Sequence, residues 1–450
     1  MKKQIDTQSV YEKVRETLDI GVRQNRLFIK GGKNWTTISA IELAITIRSL
    51  YREEEQKLIS SGTVKEVIER LLQNPSIQLC FIEETEDHFI KLKDEVFDVD
   101  IGALNENIKE DFGYFMDFSY VESSRRNMRT FEAYLHSVFP DDLDRKRKLM
   151  LEIIGYVLSD YTNAKAGFFF VGASNSGKST VLELVRKILP ESAVTTIPLY
   201  RLENRFNLAR LADARVNICT ELSEKSFSSV DIFKIMTSNE VVTAEHKGSK
   251  PFEFRIKCKS LNAGNMLPDI KGVEGIGAII NRMIILLFPK SISQERQDLR
   301  LLDKLWEERD SIFSEALDAL VELKKRNFIF TEPEDSLKIK QQLQLQEDSL
   351  DSFLSERCVM DKDAKEHLVT LYDAFCEYCS DNLLDCVYTK SQFSQFLCQK
   401  PNIRREKFRI NGSKPLSGMK GLRLKTAKEY GSQDSEPYST NNTTKKISEN

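Results

Sequence analysis

The chain has 450 residues, with 66 Lys and Arg against 69 Asp and Glu, and eight cysteines. That length supports roughly two to four domains with at least one sizeable core, and the near-neutral balance excludes a globally basic nucleic-acid binder, so a polyanion must be held by local patches. No apolar run approaches a membrane span and the first residues lack the apolar centre of a secretion signal, so we expect a cytoplasmic protein with reduced thiols and no membrane partner.

The first third reads as mixed and mostly helical. Residues 39–59 and 63–74 carry apolar positions at helical spacing, Ile77 to Phe97 alternates like a short sheet, and Arg129 to Phe139 and Asp144 to Tyr161 return to helix. We take 1–140 as a collar or oligomerisation domain. Asp98-Val-Asp100 reads as a strand-end turn, not as a metal pair.

Residues 168–181 run Phe-Phe-Phe-Val-Gly-Ala-Ser-Asn-Ser-Gly-Lys-Ser-Thr-Val, a buried-looking strand that breaks into small residues and then a helix bearing Val181, Leu182, Leu184, Val185, Ile188 and Leu189. This is the order of a P-loop. Small residues let successive backbone N–H groups curl around a phosphate, and the helix adds its positive end. Gly172, Ala173, Ser174, Asn175, Ser176, Gly177, Lys178, Ser179 and Thr180 are therefore the expected contacts of ATP. Lys178 would reach the β- and γ-phosphates and the Ser179 hydroxyl would ligate Mg²⁺.

From about 160 to 290 strand-length apolar stretches alternate with helical ones, as in an α/β nucleotide-binding core, and we expect the motor over 141–330. Arg215-Val-Asn-Ile-Cys-Thr-Glu221 is the strand expected to end in an acid that shares the Mg²⁺ shell or activates water, with Glu224 one turn later. Val241-Val242 and Phe252-Glu-Phe254 flank a polar tip carrying His246, Lys247 and Lys250, a hairpin signal. Asn265 follows an apolar strand where it would position water, and Arg282 opens the apolar strand Met283 to Phe288. Residues 293–327 read as a long helical segment that includes Trp306, Ile312, Phe313, Ala316, Leu317 and Leu320.

A polar linker, 331–348, precedes a compact unit over 349–426 that reads as a winged helix. Thr389-Lys-Ser-Gln392 is a capping box opening a short helix, 389–398, the candidate recognition helix, and Ile403 to Leu424 reads as a two-stranded wing turning at Asn411-Gly412. Arg404, Arg405, Lys407, Arg409, Lys414 and Lys420 concentrate positive charge there, which favours binding to duplex phosphates. Cys376-Glu-Tyr-Cys379 lies in a helical pattern where cysteine acts as a small buried hydrophobe, so zinc is not expected. The tail, 427–450, is polar and expected to be disordered.

Taken in order, these pieces resemble the superfamily three helicases, specifically the phage and plasmid primase–helicase family that includes the poxvirus primase–helicase. The resemblance spans roughly residues 85–425. Gly155-Tyr156 looks like the segment before the P-loop, Asn175 sits as in Gly-x-x-Asn-x-Gly-Lys-Ser, and Glu221 matches the Walker B glutamate. Lys234 matches the lysine of the following helix, Phe252-Glu-Phe254 the hairpin return strand, and Asn265 with Pro268 the sensor strand. Arg282 matches an arginine that acts as a finger on a neighbouring subunit. Two departures stand out: Thr237-Ser-Asn239 replaces Gly-Gly-Asp, and Thr220 stands where many P-loop motors carry a second acid.

The resemblance implies an α/β P-loop core of the AAA+ type with a mainly helical N-terminal domain and a C-terminal winged helix. It implies an ATP- and Mg²⁺-dependent homo-hexameric DNA helicase with hairpins in a central channel, serving as replication initiator of a mobile element similar to phage-like pathogenicity islands. Single-stranded and duplex origin DNA and a host or element-encoded primase are the implied partners. The chain offers no room for a polymerising primase domain before the motor. Two other readings stay open from the residues alone: a protein-remodelling P-loop ATPase, and an origin-binding protein with an inactive motor.

Overall fold

In the computed structural model the described residues are 4–23, 26–32, 34–81, 86–108, 112–222, 230–247, 250–268, 276–382, 384, 386, 388–409, 415–426 and 429. They fall into two compact units, Met1–Asp269 with Asn281–Lys338, and Ile270–Ile280 with Ile339–Asn450. The expected tail, residue 429 excepted, and Glu224 lie outside the described residues, as do the turn Asn411-Gly412 and Lys414.

The first unit is built on a five-stranded parallel sheet. Its order is Met283–Phe288, Gly167–Gly172, Lys259–Gly264, Val216–Cys219, Val194–Thr195. Phe168 to Val171 and Met283 to Leu286 read as unbroken apolar runs because a parallel sheet is covered on both faces, and these residues are indeed buried. Phe168, Phe170 and Phe288 share one core with Leu184 and Ile188 of the helix Lys178–Ile188 and with Phe313 and Leu317 of the helix Arg309–Lys325. Tyr134, Leu135 and Val138 of the helix Arg129–Val138 join the same core, so residues on both sides of position 140 pack together.

The helical stretch expected over 293–327 divides into Leu301–Glu307 and Arg309–Lys325. Glu308, between them, accepts the N–H groups of Thr130 and Phe131 at 2.8 and 2.9 Å and so caps the helix Arg129–Val138, whose own N-cap Met128 has no side-chain acceptor. The connector expected at 331–348 is helical from Glu334, within Glu334–Arg357.

A separate small core lies in residues 5–77. Val10, Val14, Leu43, Ile47, Val64, Val67 and Leu71 come from the helices Thr7–Thr17, Ala40–Ser49 and Ser61–Gln73. They pack on the antiparallel sheet Ile20–Arg23, Arg26–Gly31, Asn34–Thr37, which the helical spacing did not announce. The sheet read over Ile77 to Phe97 is shorter and later: Phe89–Lys91, Val96–Asp98 and Ala103–Leu104. Asp98 Oδ1 accepts the Asp100 N–H at 2.9 Å and Asn105 donates to Oδ2 at 3.2 Å, so Asp98-Val-Asp100 is a turn.

The second unit joins the helices Leu368–Asp381 and Lys390–Gln399 to an antiparallel sheet in the order Cys358–His367, Leu416–Leu424, Arg404–Phe408. Its core gathers Phe353, Leu371, Phe375, Phe393, Leu397, Met419 and Leu422. The capping box is present: Thr389 accepts the Gln392 N–H and Gln392 accepts that of Thr389. The third strand was not anticipated, because Cys358–His367 is polar through Asp361 to His367 and its ladder shifts register between Met360 and Lys365.

Candidate functional site

The apolar strand Gly167–Gly172 delivers a loop that is held from two sides. A Cβ on Gly172 would lie 2.1 Å from the Phe288 carbonyl oxygen, so only glycine lets the loop leave the sheet here. Gly177, the N-cap of the following helix, has φ +91°, and a Cβ there would come within 2.7 Å of Val138 Cγ1. Tyr134 donates its hydroxyl to the Gly177 carbonyl at 3.0 Å. On the other side Ile292 N–H donates to Asn175 O at 2.8 Å and Ser291 to Ser174 O at 2.9 Å.

Lys178 lies back across this loop. Its Nζ donates to the carbonyls of Gly172 and Ala173 at 2.6 and 2.7 Å and to Ser176 Oγ at 3.0 Å. Burial lowers its ammonium below the usual lysine range. Ala173, Ser174, Asn175 and Ser179 are exposed, Gly177 and Thr180 half-buried, and Ser176 buried. The loop therefore offers small exposed residues, an ammonium group and the N–H groups of a helix's first turn, of which only that of Thr180 is seen to turn back, to the Gly177 carbonyl at 3.1 Å. That set fits a triphosphate with its Mg²⁺, the phosphates on the backbone and Lys178 and the metal on Ser179.

The sheet order brings two further polar residues to the same edge. Gly264 pairs with Val171 in the neighbouring strand, and Asn262 pairs with both Phe169 and Cys219. Asn265 thus follows at the level of Gly172, exposed at the strand end. On the next strand Leu222 N–H donates to Ala263 O at 3.0 Å, which fixes Glu221 at the same end, also exposed. Glu221, Asn265 and Lys178 converge at the carboxyl edge of one sheet, where open α/β sheets take their ligands.

Arg282 is not brought to that edge. Met283 pairs with Gly167 and Phe288 with Gly172, so Arg282 stands at the opposite end, about 20 Å from the loop by strand rise. Its backbone oxygen accepts the Gly167 N–H at 2.8 Å, and its Nη1 is buried with no partner among the described residues. Lys234 is half-buried on the helix Val230–Ser238, which ends in Thr237-Ser-Asn239 with Asn239 left-handed at φ +55°.

The expected hairpin is present as Val241–Ala244 paired with Phe252–Arg255. Lys247 and Lys250 are exposed on its tip, but His246 is half-buried and stacked on Phe252, ring centroids 5.1 Å apart. Burial and the nearby Arg26 hold its imidazole below the usual histidine range. In the second unit Arg404, Arg405, Lys407 and Arg409 are exposed and Lys420 is half-buried. Arg404 pairs with Glu406 at 2.6 Å, so part of that basic strand is locally neutralised. On Lys390–Gln399, Phe393, Ser394 and Leu397 point into the unit and Lys390, Ser391 and Gln395 are exposed. Cys379 is in the core, as its helical spacing suggested, while Cys376 and Cys386 bring their Sγ atoms to 2.6 Å. Among the described residues no group of three or more His, Cys, Asp or Glu is arranged for a metal, and no helix is long and apolar enough to cross a membrane.

Residues 170–275, which carry the loop, Glu221, the hairpin and Asn265, match a family of unknown function, DUF5906. No curated protein matches the sequence. Among solved structures the chain is similar to the apo C-terminal region of NrS-1 in three determinations. Their identities are 14, 14 and 13%, with TM-scores of 0.49, 0.47 and 0.45, and each covers 93% of this chain and 100% of that one.

Proposed function

We propose that this chain is an ATP-driven motor acting on DNA, a helicase of AAA+ type that works as a homo-hexameric ring and initiates replication of a mobile element. The observation that carries the reading is the convergence of the Lys178 loop, Glu221 and Asn265 at one edge of a parallel sheet whose strands are otherwise apolar. In this reading Lys178 and Ser179 hold ATP with its Mg²⁺, Glu221 orients the attacking water, and Asn265 senses the γ-phosphate side. Bound nucleotide supplies the free energy of phosphoryl transfer. Lys178 must then exchange its bonds to the Gly172 and Ala173 carbonyls for phosphate oxygens.

Arg282 lies too far from its own loop to serve it, which suits a finger acting on an adjacent copy. Lys247 and Lys250 on the hairpin tip suit contact with a single strand, and the exposed basic strand of the second unit, read as the wing of a winged helix, suits duplex origin DNA. The test is ATP turnover by the wild type and by Lys178→Ala at matched thermal stability. We expect the variant to lose about 10²- to 10³-fold, the loss usual for a preorganised charge-stabilising donor. Equal turnover in the two proteins would remove the loop from the chemistry and the motor reading with it.

A further inference from the structure

A cleft of about 1090 Å³ opens in the first unit between the strand pair Ile20–Arg23 and Arg26–Gly31, the segment 192–215 and the hairpin Val241–Arg255. It exceeds the roughly 300–1,000 Å³ usual for a single small ligand. Among the described residues seven lysines and arginines line it against three acids. One of those acids, Asp160, is already engaged by Arg215. The cations come from separate parts of the chain: Arg23 and Arg26 from the N-terminal strands, Arg210 from the end of the short helix Arg205–Ala209, and Lys247 and Arg255 from the hairpin.

Two features point to what the cleft takes. Arg23 and Arg26 both turn to the carboxylate of Asp213, Arg23 at 3.5 Å. In addition, the Trp35 indole Nε1 and His246 Nε2, both in residues of the cleft wall, are buried with no hydrogen-bond partner among the described residues. Excess positive charge spread over three elements calls for several phosphates. An indole with an unmet N–H calls for a flat group with acceptors, and nucleobases have both properties.

We propose that this cleft binds one single strand of nucleic acid, its phosphates on Arg23, Arg26, Arg210 and Arg255 and a base against Trp35. Asp213 is the internal competitor that the phosphates displace from the two arginines. The choice of a polymer over a free nucleoside phosphate rests on the motor reading above as well as on the cleft's size. The site lies apart from the Lys178 loop and contributes its N-terminal wall from residues 20–37, none of which the sequence had marked.

The experiment is fluorescence anisotropy of a labelled oligothymidylate of about 12 nucleotides, a length within the usual single-strand footprint. It uses the full chain without ATP, over a salt series, with thymidine monophosphate as competitor. Arg23→Ala/Arg26→Ala should weaken binding at least about tenfold and flatten the log–log salt slope by about 1.4, two contacts at about 0.7 each. Trp35→Ala should weaken binding with the slope unchanged. Asp213→Asn should tighten it, a gain that misfolding cannot imitate. Unaltered affinity in all of these variants would overturn the inference, and so would monophosphate competing as well as the oligomer per nucleotide. Cleft-dependent binding without ATP turnover would keep the inference and remove the motor; DNA-stimulated turnover with unaltered affinity in the variants would do the reverse.

Discussion

Lys259 carries a pH signature that can be read from its neighbours. Asp160 forms a two-pronged ion pair with Arg215, Nη2 to Oδ2 at 2.7 Å, Lys257 stands 3.8 Å away, and Lys259 donates to the Ser159 carbonyl at 2.6 Å. Burial alone would raise the Asp160 carboxyl, but Arg215, Lys259 and Lys257 together hold it below the usual range. Three cations on one carboxylate leave an excess, and Lys259 yields: burial first, then Arg215, lower its ammonium to about 7. The unfolded chain keeps that proton up to about pH 10.4, so between pH 7 and 10 the unfolded state binds more protons and stability rises with pH, by up to about 1.4 kcal/mol per unit. Cys258, pushed up to about 12 by burial, works the other way above about pH 9. Urea midpoints should therefore rise from pH 7 to 8.5 in the wild type and stay flat in Lys259→Met; parallel profiles would refute the assignment. This charge cluster was not legible in the sequence. Each partner lies 55 to 100 positions from another, and local pattern carries no information across such gaps. The Lys178 loop was legible because its chemistry is written in consecutive residues.

At the scale of elements, the helix Leu143–Leu158 shows why Gly155 stands before the loop strand. A Cβ there would lie 2.1 Å from the Ala316 carbonyl oxygen, so this helix and Arg309–Lys325 pack backbone to backbone. Gly155→Ala should cost roughly 1–3 kcal/mol through overpacking, whereas Gly62→Ala, with only Ser60 Oγ at 3.5 Å, should be neutral or slightly stabilising. Thermal unfolding of the two variants checks this, and equal midpoints would contradict the packing argument. Legibility followed apolar content here too. Four of the five sheet strands, all but Val194–Thr195, and the helices 129–138, 143–158 and 178–188 declared themselves through runs or helical spacing. The strand Cys358–His367 did not, since much of it faces solvent and its ladder is interrupted. The N-terminal sheet was missed because only part of Ile20–Arg23 and Arg26–Gly31, and no residue of Asn34–Thr37, is buried.

In the first unit, the larger part of the molecule, the parallel sheet sets a polarity that sorts four candidate residues between its two ends. Lys178, Glu221 and Asn265 occupy its carboxyl edge and Arg282 its amino end, so a complete site in the proposed motor requires two copies. This arrangement was only half visible in the sequence: the motifs gave the residues, but which end of the sheet each occupies follows from register. The most direct measurement is ATP turnover with and without single-stranded DNA, together with strand displacement on a forked duplex. It compares the wild type, Arg282→Ala, Lys178→Ala and an equimolar mixture of the two variants. DNA-stimulated turnover and displacement are expected of the wild type. Arg282→Ala should lose about 10³- to 10⁵-fold in turnover, with partial recovery in the mixture, where one variant's intact loop meets the other's intact arginine. Turnover indifferent to DNA, with no displacement and no recovery on mixing, would contradict the motor reading.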